Sequence, residues 1–118
     1  MIPQFILRKL YKPKSMKNIE AGFEFALENS LAHATITRIK KIELDSIEIP
    51  LSQIELRGES GSIKAESLNE ERPMPLDKGK AVNIVLSIAQ LTGGEHSIKV
   101  SVATKEFGEL NFQIKDTV

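Results

Sequence analysis

The sequence predicts an all-β fold: one antiparallel, immunoglobulin-like β-sandwich of about eight or nine strands, spanning residues 1–118 as a single domain. Three observations predict it. Apolar residues recur at every second position along most of the chain, the period of a half-buried strand and not of a helix. Gly, Pro, Asn, Asp and Ser cluster between those runs, where turns belong. The chain is 118 residues long with 41% hydrophobic and 27% charged residues, enough for one core and too apolar for wholesale disorder.

The elements follow in order. Phe5, Leu7 and Tyr11, bounded by Pro3 and Pro13, read as an edge strand. Phe23, Phe25 and Leu27 alternate with Glu24, Ala26 and Glu28 as a second strand. Thr35, Thr37 and Ile39 interleave with Ala34, Ile36 and Arg38, where β-branched residues favour a strand. Ile42-Glu43-Leu44 and Ile47-Glu48-Ile49 flank Asp45-Ser46, a two-residue hairpin turn. Ile54 and Leu56 lead through Gly58-Glu59-Ser60-Gly61 to Ile63 and Ala65, a second hairpin. Ser67–Asp77 is irregular, with Pro73 and Pro75 excluding a helix interior and a central strand, so it reads as a mobile loop. Helix is limited to a turn or two at Leu51–Leu56 or Ser67–Arg72.

The last third carries the clearest pattern. Val82, Ile84, Leu86 and Ile88, then Ile98, Val100 and Val102, then Leu110, Phe112 and Ile114 form three runs joined by Gly-containing turns. They read as a meander in one sheet. Their ten apolar side chains, at about 1.5–3 kcal/mol each when fully buried, supply roughly 15–30 kcal/mol before chain entropy is subtracted. One sheet face cannot bury itself, so the first half of the chain is expected to form the opposing sheet. On this reading the apolar side chains are consumed between the layers and leave no interior hollow.

Composition excludes several functions. Sixteen basic and sixteen acidic residues give a formal net charge of zero, which disfavours nucleic acid as a partner. Cys is absent, removing disulfides, thiolate metal sites and thiol catalysis. With no Trp and one Tyr, free-standing carbohydrate binding is not expected. The longest apolar run near the start, Phe5-Ile6-Leu7, is far short of an export signal or membrane span, so a cytoplasmic protein without a membrane partner is the expectation. Charge is unevenly placed: Met1–Lys17 holds five bases and no acid, while Ile42–Glu71 holds eight acids and two bases. These are solvated faces or a polar seam, within the fold or against a partner of opposite sign.

Few residues offer chemistry. His96 lies in phase with Ile98 and Val100, so it points at the apolar face near a strand start and reads as a hydrogen-bonded rim or core histidine. A catalytic or metal role for His96, with His33 and Glu28 or Glu95 completing a site, is the alternative. No spaced metal-ligand pattern, nucleophile elbow or phosphate loop is present, and no cofactor is expected. Phe107, beside Gly108 at a turn apex, is either a staple over the sheet end or a partner contact, and Arg8, Lys9 and Tyr11 are further candidate contacts.

Three landmarks carry a family resemblance: Gly22-Phe23-Glu24-Phe25; Leu44-Asp45 followed by Ile49-Pro50 and Ile54; and Gly79 with the Val82–Ile88 strand, then Leu91, Gly94, His96, Ile98 and Val100. In order and spacing the chain resembles the beta subunits of C-glycoside deglycosidases. The resemblance implies a small subunit paired with a larger TIM-barrel-type subunit, which carries the metal and cleaves a sugar's C–C bond. It transfers no site residue. The function expected from the sequence is therefore a non-catalytic accessory subunit acting through a protein partner. The alternatives are a self-associating module that pairs edge strands such as Phe5–Leu10, and an enzyme or metal-binding protein using His96.

Overall fold

A computed structural model of the chain describes residues 2–59 and 61–118. Met1, and Ser60 in the expected second hairpin turn, lie outside the described residues. The expected antiparallel sandwich is present, with ten strands among the described residues where the sequence predicts about eight or nine. The strands are β1 (Lys17–Ile19), β2 (Gly22–Glu28), β3 (Ala34–Leu44), β4 (Ile47–Glu48), β5 (Ile54–Gly58), β6 (Gly61–Lys64), β7 (Met74–Leu76), β8 (Ala81–Leu86), β9 (Glu95–Thr104) and β10 (Gly108–Thr117). One sheet runs β1-β2-β8-β5-β6; the other runs β10-β9-β3-β4, with β7 also on β3. Every pairing among the described residues is antiparallel.

The core is the set of side chains these sheets turn toward each other. Phe23 and Phe25 from β2, Ile39 and Ile42 from β3, Leu56 from β5, Ile84 and Leu86 from β8 and Ile98 from β9 are fully buried. Alternation located most of these residues, but not the sheet each belongs to. The expected meander of β8, β9 and β10 does not form: β8 lies between β2 and β5, whereas β9 pairs with β10 and β3. The Ser87–Gly94 connection is long enough to cross from one layer to the other, a distance of about 10 Å. Each sheet therefore takes strands from both halves of the chain.

In β3 the phase differs from the simple alternation. Its inward residues are Ala34, Ile36, Ile39, Ile42 and Leu44. Register shifts at Ile36/Arg38 and Ile39/Lys41 against β9 each insert one extra residue, and each flips the faces. Two expected strands are thus one bent strand of 11 residues. Asp45-Ser46 forms the expected turn, with both residues at positive φ, 51° and 71°, as the primed hairpin turn requires. Met74–Leu76, inside the stretch read as a loop, is a short edge strand on β3. Pro75 is exposed there, where its missing N–H costs no central ladder bond.

The start of the chain is the main correction. Gln4–Leu7 is a short helix, α1, continued as a 3-10 turn over Arg8–Leu10. Residues 5–10 are therefore not the expected edge strand. Further single 3-10 turns occupy Leu51–Gln53 and Ala65–Ser67, the first inside an expected helical region and the second overlapping the other only at Ser67. Leu7, Leu10 and Tyr11 are buried and recur at helical spacing, but the segment is too short for that period to stand out from an alternating one. The helix lies along β10, the long exposed edge of its sheet. Gln4 Nε2 donates to the Asn111 carbonyl, Arg8 Nε to the Gln113 carbonyl at 3.2 Å, and the Tyr11 hydroxyl to Asp116 Oδ2 at 2.7 Å. The spacing matches: four helical residues advance about 6 Å and two strand residues about 6.6 Å. Side chains thus occupy edge carbonyls that a neighbouring strand would otherwise take. Strands β1, β4, β6 and β7, at two to four residues each, offer little template. From Tyr11 the chain crosses to the other sheet, where Tyr11 bridges Leu27 and the Lys12 amide donates to the Ala26 carbonyl at 3.0 Å. No helix among the described residues is long and apolar enough to cross a membrane.

Candidate functional site

Two histidines mark opposite ends of the same sheet. In the register Leu44 stands opposite Ile98 and Ile36 opposite Thr104, so His96 lies at one end of the β3–β9 pair and His33 at the other. They do not converge, which removes the joint site considered from the sequence.

His96 is nearly enclosed, with its side chain 10% exposed. Its Nδ1 lies 2.6 Å from Asp45 Oδ2 and its Nε2 2.8 Å from the Thr92 carbonyl. Both partners are acceptors, so only the imidazolium, with two N–H groups, donates to both. The bond to Asp45, then that to Thr92, raises the His96 pKa above its ordinary 6.5, against the pull of burial. The bond from His96, then the Ser97 amide at 2.9 Å, lowers Asp45 below its ordinary 3.8. These bonds hold the positive-φ Asp45 turn onto the start of β9. A raised histidine stabilises fully below its unfolded pKa and loses that contribution as pH rises through the folded value; a lowered aspartate stabilises above its unfolded pKa and loses it on acidification through the folded value. The pair therefore stabilises most between about pH 4 and about pH 6.5. Melting temperature is expected to fall as pH rises from about 6 to about 8, and in His96→Gln that fall is expected to be absent. An equal fall in the variant refutes the assignment.

Asp116 stands opposite His96 on β10. It accepts from the Tyr11 hydroxyl at 2.7 Å and the Lys14 amide at 2.6 Å. Burial pushes Asp116 upward, but these bonds and the Thr117 amide outweigh it and leave its pKa lowered. Burial first and the Asp116 bond second raise the Tyr11 phenol. Tyr11 and Arg8, candidate contacts from sequence, are thus engaged within the fold, while Lys9 is exposed. At the other end His33 Nδ1 meets Asp77 Oδ1, and its Nε2 lies 3.3 Å from Glu106 Oε2. The carboxylates take opposite sides of the ring and cannot share one ion with it. No cluster suited to a metal occurs among the described residues. The basic first segment and the acidic Ile42–Glu71 segment do not pair with each other among the described residues. Lys17 meets Glu24 at 3.9 Å, and Lys41 meets Glu43 and Glu48 at 3.7 and 3.8 Å.

The expectation of no interior hollow fails at the His33 end. A cavity of about 290 Å³ opens between α1, the 29–33 loop, the ends of β3 and β9, and the β9–β10 turn. Its floor is apolar, and Asn29 and Thr104 are its buried polar groups. Asn29 donates to the Ala32 and Leu76 carbonyls at 2.6 and 2.7 Å and accepts from the Leu31 and Ala32 amides. Thr104 Oγ1 donates to the Gly108 carbonyl at 2.9 Å and accepts from the Phe107 amide at 3.0 Å. Those bonds pin Phe107, 43% exposed, at the rim. Alternation does not foretell this cavity, because its helical wall reads in the sequence as a strand.

A family model described as "Hydroxymethylglutaryl-CoA reductase, N-terminal domain" matches residues 6–118. The chain belongs to that family. This overturns the resemblance to C-glycoside deglycosidase beta subunits. The landmarks behind that resemblance mark fold requirements: Gly22 opens β2 at positive φ, and Asp45 forms a hairpin turn. A strand-turn-strand pattern of that kind recurs wherever a sandwich is built. No curated protein matches this member of the reductase N-terminal domain family.

Proposed function

We propose that the chain is a non-catalytic accessory module that works by docking on the catalytic part of a hydroxymethylglutaryl-CoA reductase. The observation that carries this reading is the match over residues 6–118 to a domain described by its place in that enzyme. The side-chain chemistry supports it. Both ring nitrogens of His96 and of His33 are taken up by contacts within the fold. The apolar end offers contact area instead, with Phe107 at the cavity rim and Phe5, 65% exposed, on the outer side of α1. Exposed aromatic residues are frequent anchors of protein interfaces. Self-association through residues 5–10 loses its basis, because they are helical and cover the β10 edge.

Size-exclusion chromatography with light scattering on the chain mixed with the reductase polypeptide of its own source tests the proposal. The expected result is one species with the summed mass, weakened about tenfold or more in affinity by Phe107→Ser. Two independent species, or a homo-oligomer that excludes the reductase, overturn it.

A further inference from the structure

We propose that the cavity beside α1 is a binding site for a small uncharged hydrocarbon group, such as an alkyl chain or a compact aromatic group. Native interiors are close-packed, with few voids larger than a water molecule. Here about 290 Å³ stays open, about twice the volume of an engineered Leu/Ile/Phe-lined void that stays dry and admits benzene. The sequence holds it open: Ala34 stands on its wall in β3, where a strand more often carries a β-branched or aromatic residue.

The lining sets the ligand class. Leu7, Leu27, Ile36, Leu76 and Phe112 are each at most 4% exposed and form its deep surface. No charged side chain lines it among the described residues. Asn29 and Thr104 have committed their polar atoms to the backbone. The remaining polar lining residue, Ser30, is exposed, so at the floor a polar or charged ligand would lose its hydration without gaining a side-chain partner, whereas a hydrocarbon loses only unfavourable contact with water. Depth decides between a small molecule and a flat protein surface, because a surface resting on Ile2, Leu31 and Phe107 at the rim does not reach the floor. This site shares its rim residue Phe107 with the docking proposed above, but it does not rest on that docking, because binding is read on the isolated chain.

Titration of the native chain with N-phenyl-1-naphthylamine, an uncharged fluorophore that brightens in apolar surroundings, tests the site. Saturable one-to-one binding, displaced by decan-1-ol, is expected. Ala34→Leu, which fills the cavity from its wall, and Ala32→Trp, which narrows the mouth from an exposed position, are each expected to weaken binding about tenfold or more. Ile47→Ser, an exposed position on β4, is expected to leave it unchanged. Should Ala34→Leu fail to fold, Ala32→Trp decides alone. Absence of saturable binding, or undiminished affinity in folded Ala32→Trp, overturns the proposal. A dimer that dissociates as decan-1-ol is added would also overturn it, in favour of a second copy as the occupant.

Discussion

Gly22→Ala is expected to destabilise the protein by at least about 3 kcal/mol, against the 5–15 kcal/mol typical of a whole domain. Gly22 opens β2 at φ 144°, a region that L side chains rarely adopt. A β-carbon there meets main chain: the Leu86 carbonyl oxygen is nearest, with Ile88 O at 2.6 Å and Ile88 N at 2.8 Å. Backbone cannot rotate aside as a side-chain tip can. Either β2 separates from β8 or the end of β8 shifts, and Phe23 pairs with Leu86 at that point. Gly61→Ala is the control, since it also has positive φ but nothing within 4 Å of its would-be β-carbon. Urea unfolding of the two variants separates strain from collision. A Gly22→Ala loss no greater than that of Gly61→Ala refutes the collision.

The second large effect is expected at Phe25. Its ring is fully buried in the middle of β2, and Ile84 is its partner on β8. Phe25→Ala removes the buried ring and leaves a hole that strands paired on both sides cannot close, for a loss of about 3–5 kcal/mol. Phe25→Leu retains most of the volume and is expected to cost less. Phe107→Ala removes a ring of the same size from the rim, and its effect on stability is expected to be within about 1 kcal/mol. Denaturant midpoints for the three variants test the order. Equal losses for Phe25→Ala and Phe107→Ala would refute the greater contribution of the buried ring.

How much of this was legible follows from what alternation encodes. Period two reports which side chains turn inward, so Phe23, Phe25, Ile84, Ile98 and Val100 were readable as core. It does not report which strand is a neighbour, so β8 reads as a companion of β9 although it lies in the other layer. It also fails where an extra residue enters a strand, as at the two register shifts of β3. The enclosed, hydrogen-bonded setting of His96 followed from its phase with Ile98, but its partner Asp45 lies 51 positions away and depended on the unread topology. The cavity was hidden for a similar reason. Its walls come from α1, β2, β3, β7, β9 and β10, and a run of four helical residues is shorter than the period needed to recognise it.

The crossing of β8 into the layer opposite β9 bears on how the chain reaches this state. The β2–β8 ladder joins Phe23 to Leu86 and Leu27 to Val82, so about half of the polypeptide must be looped out before that sheet can zip. Such closure is entropically slow, and rates fall as the sequence distance between contacts grows. Neither half carries a complete layer, so cutting the backbone between Ser67 and Asp77 leaves two interdependent fragments, each holding strands whose partners reside on the other.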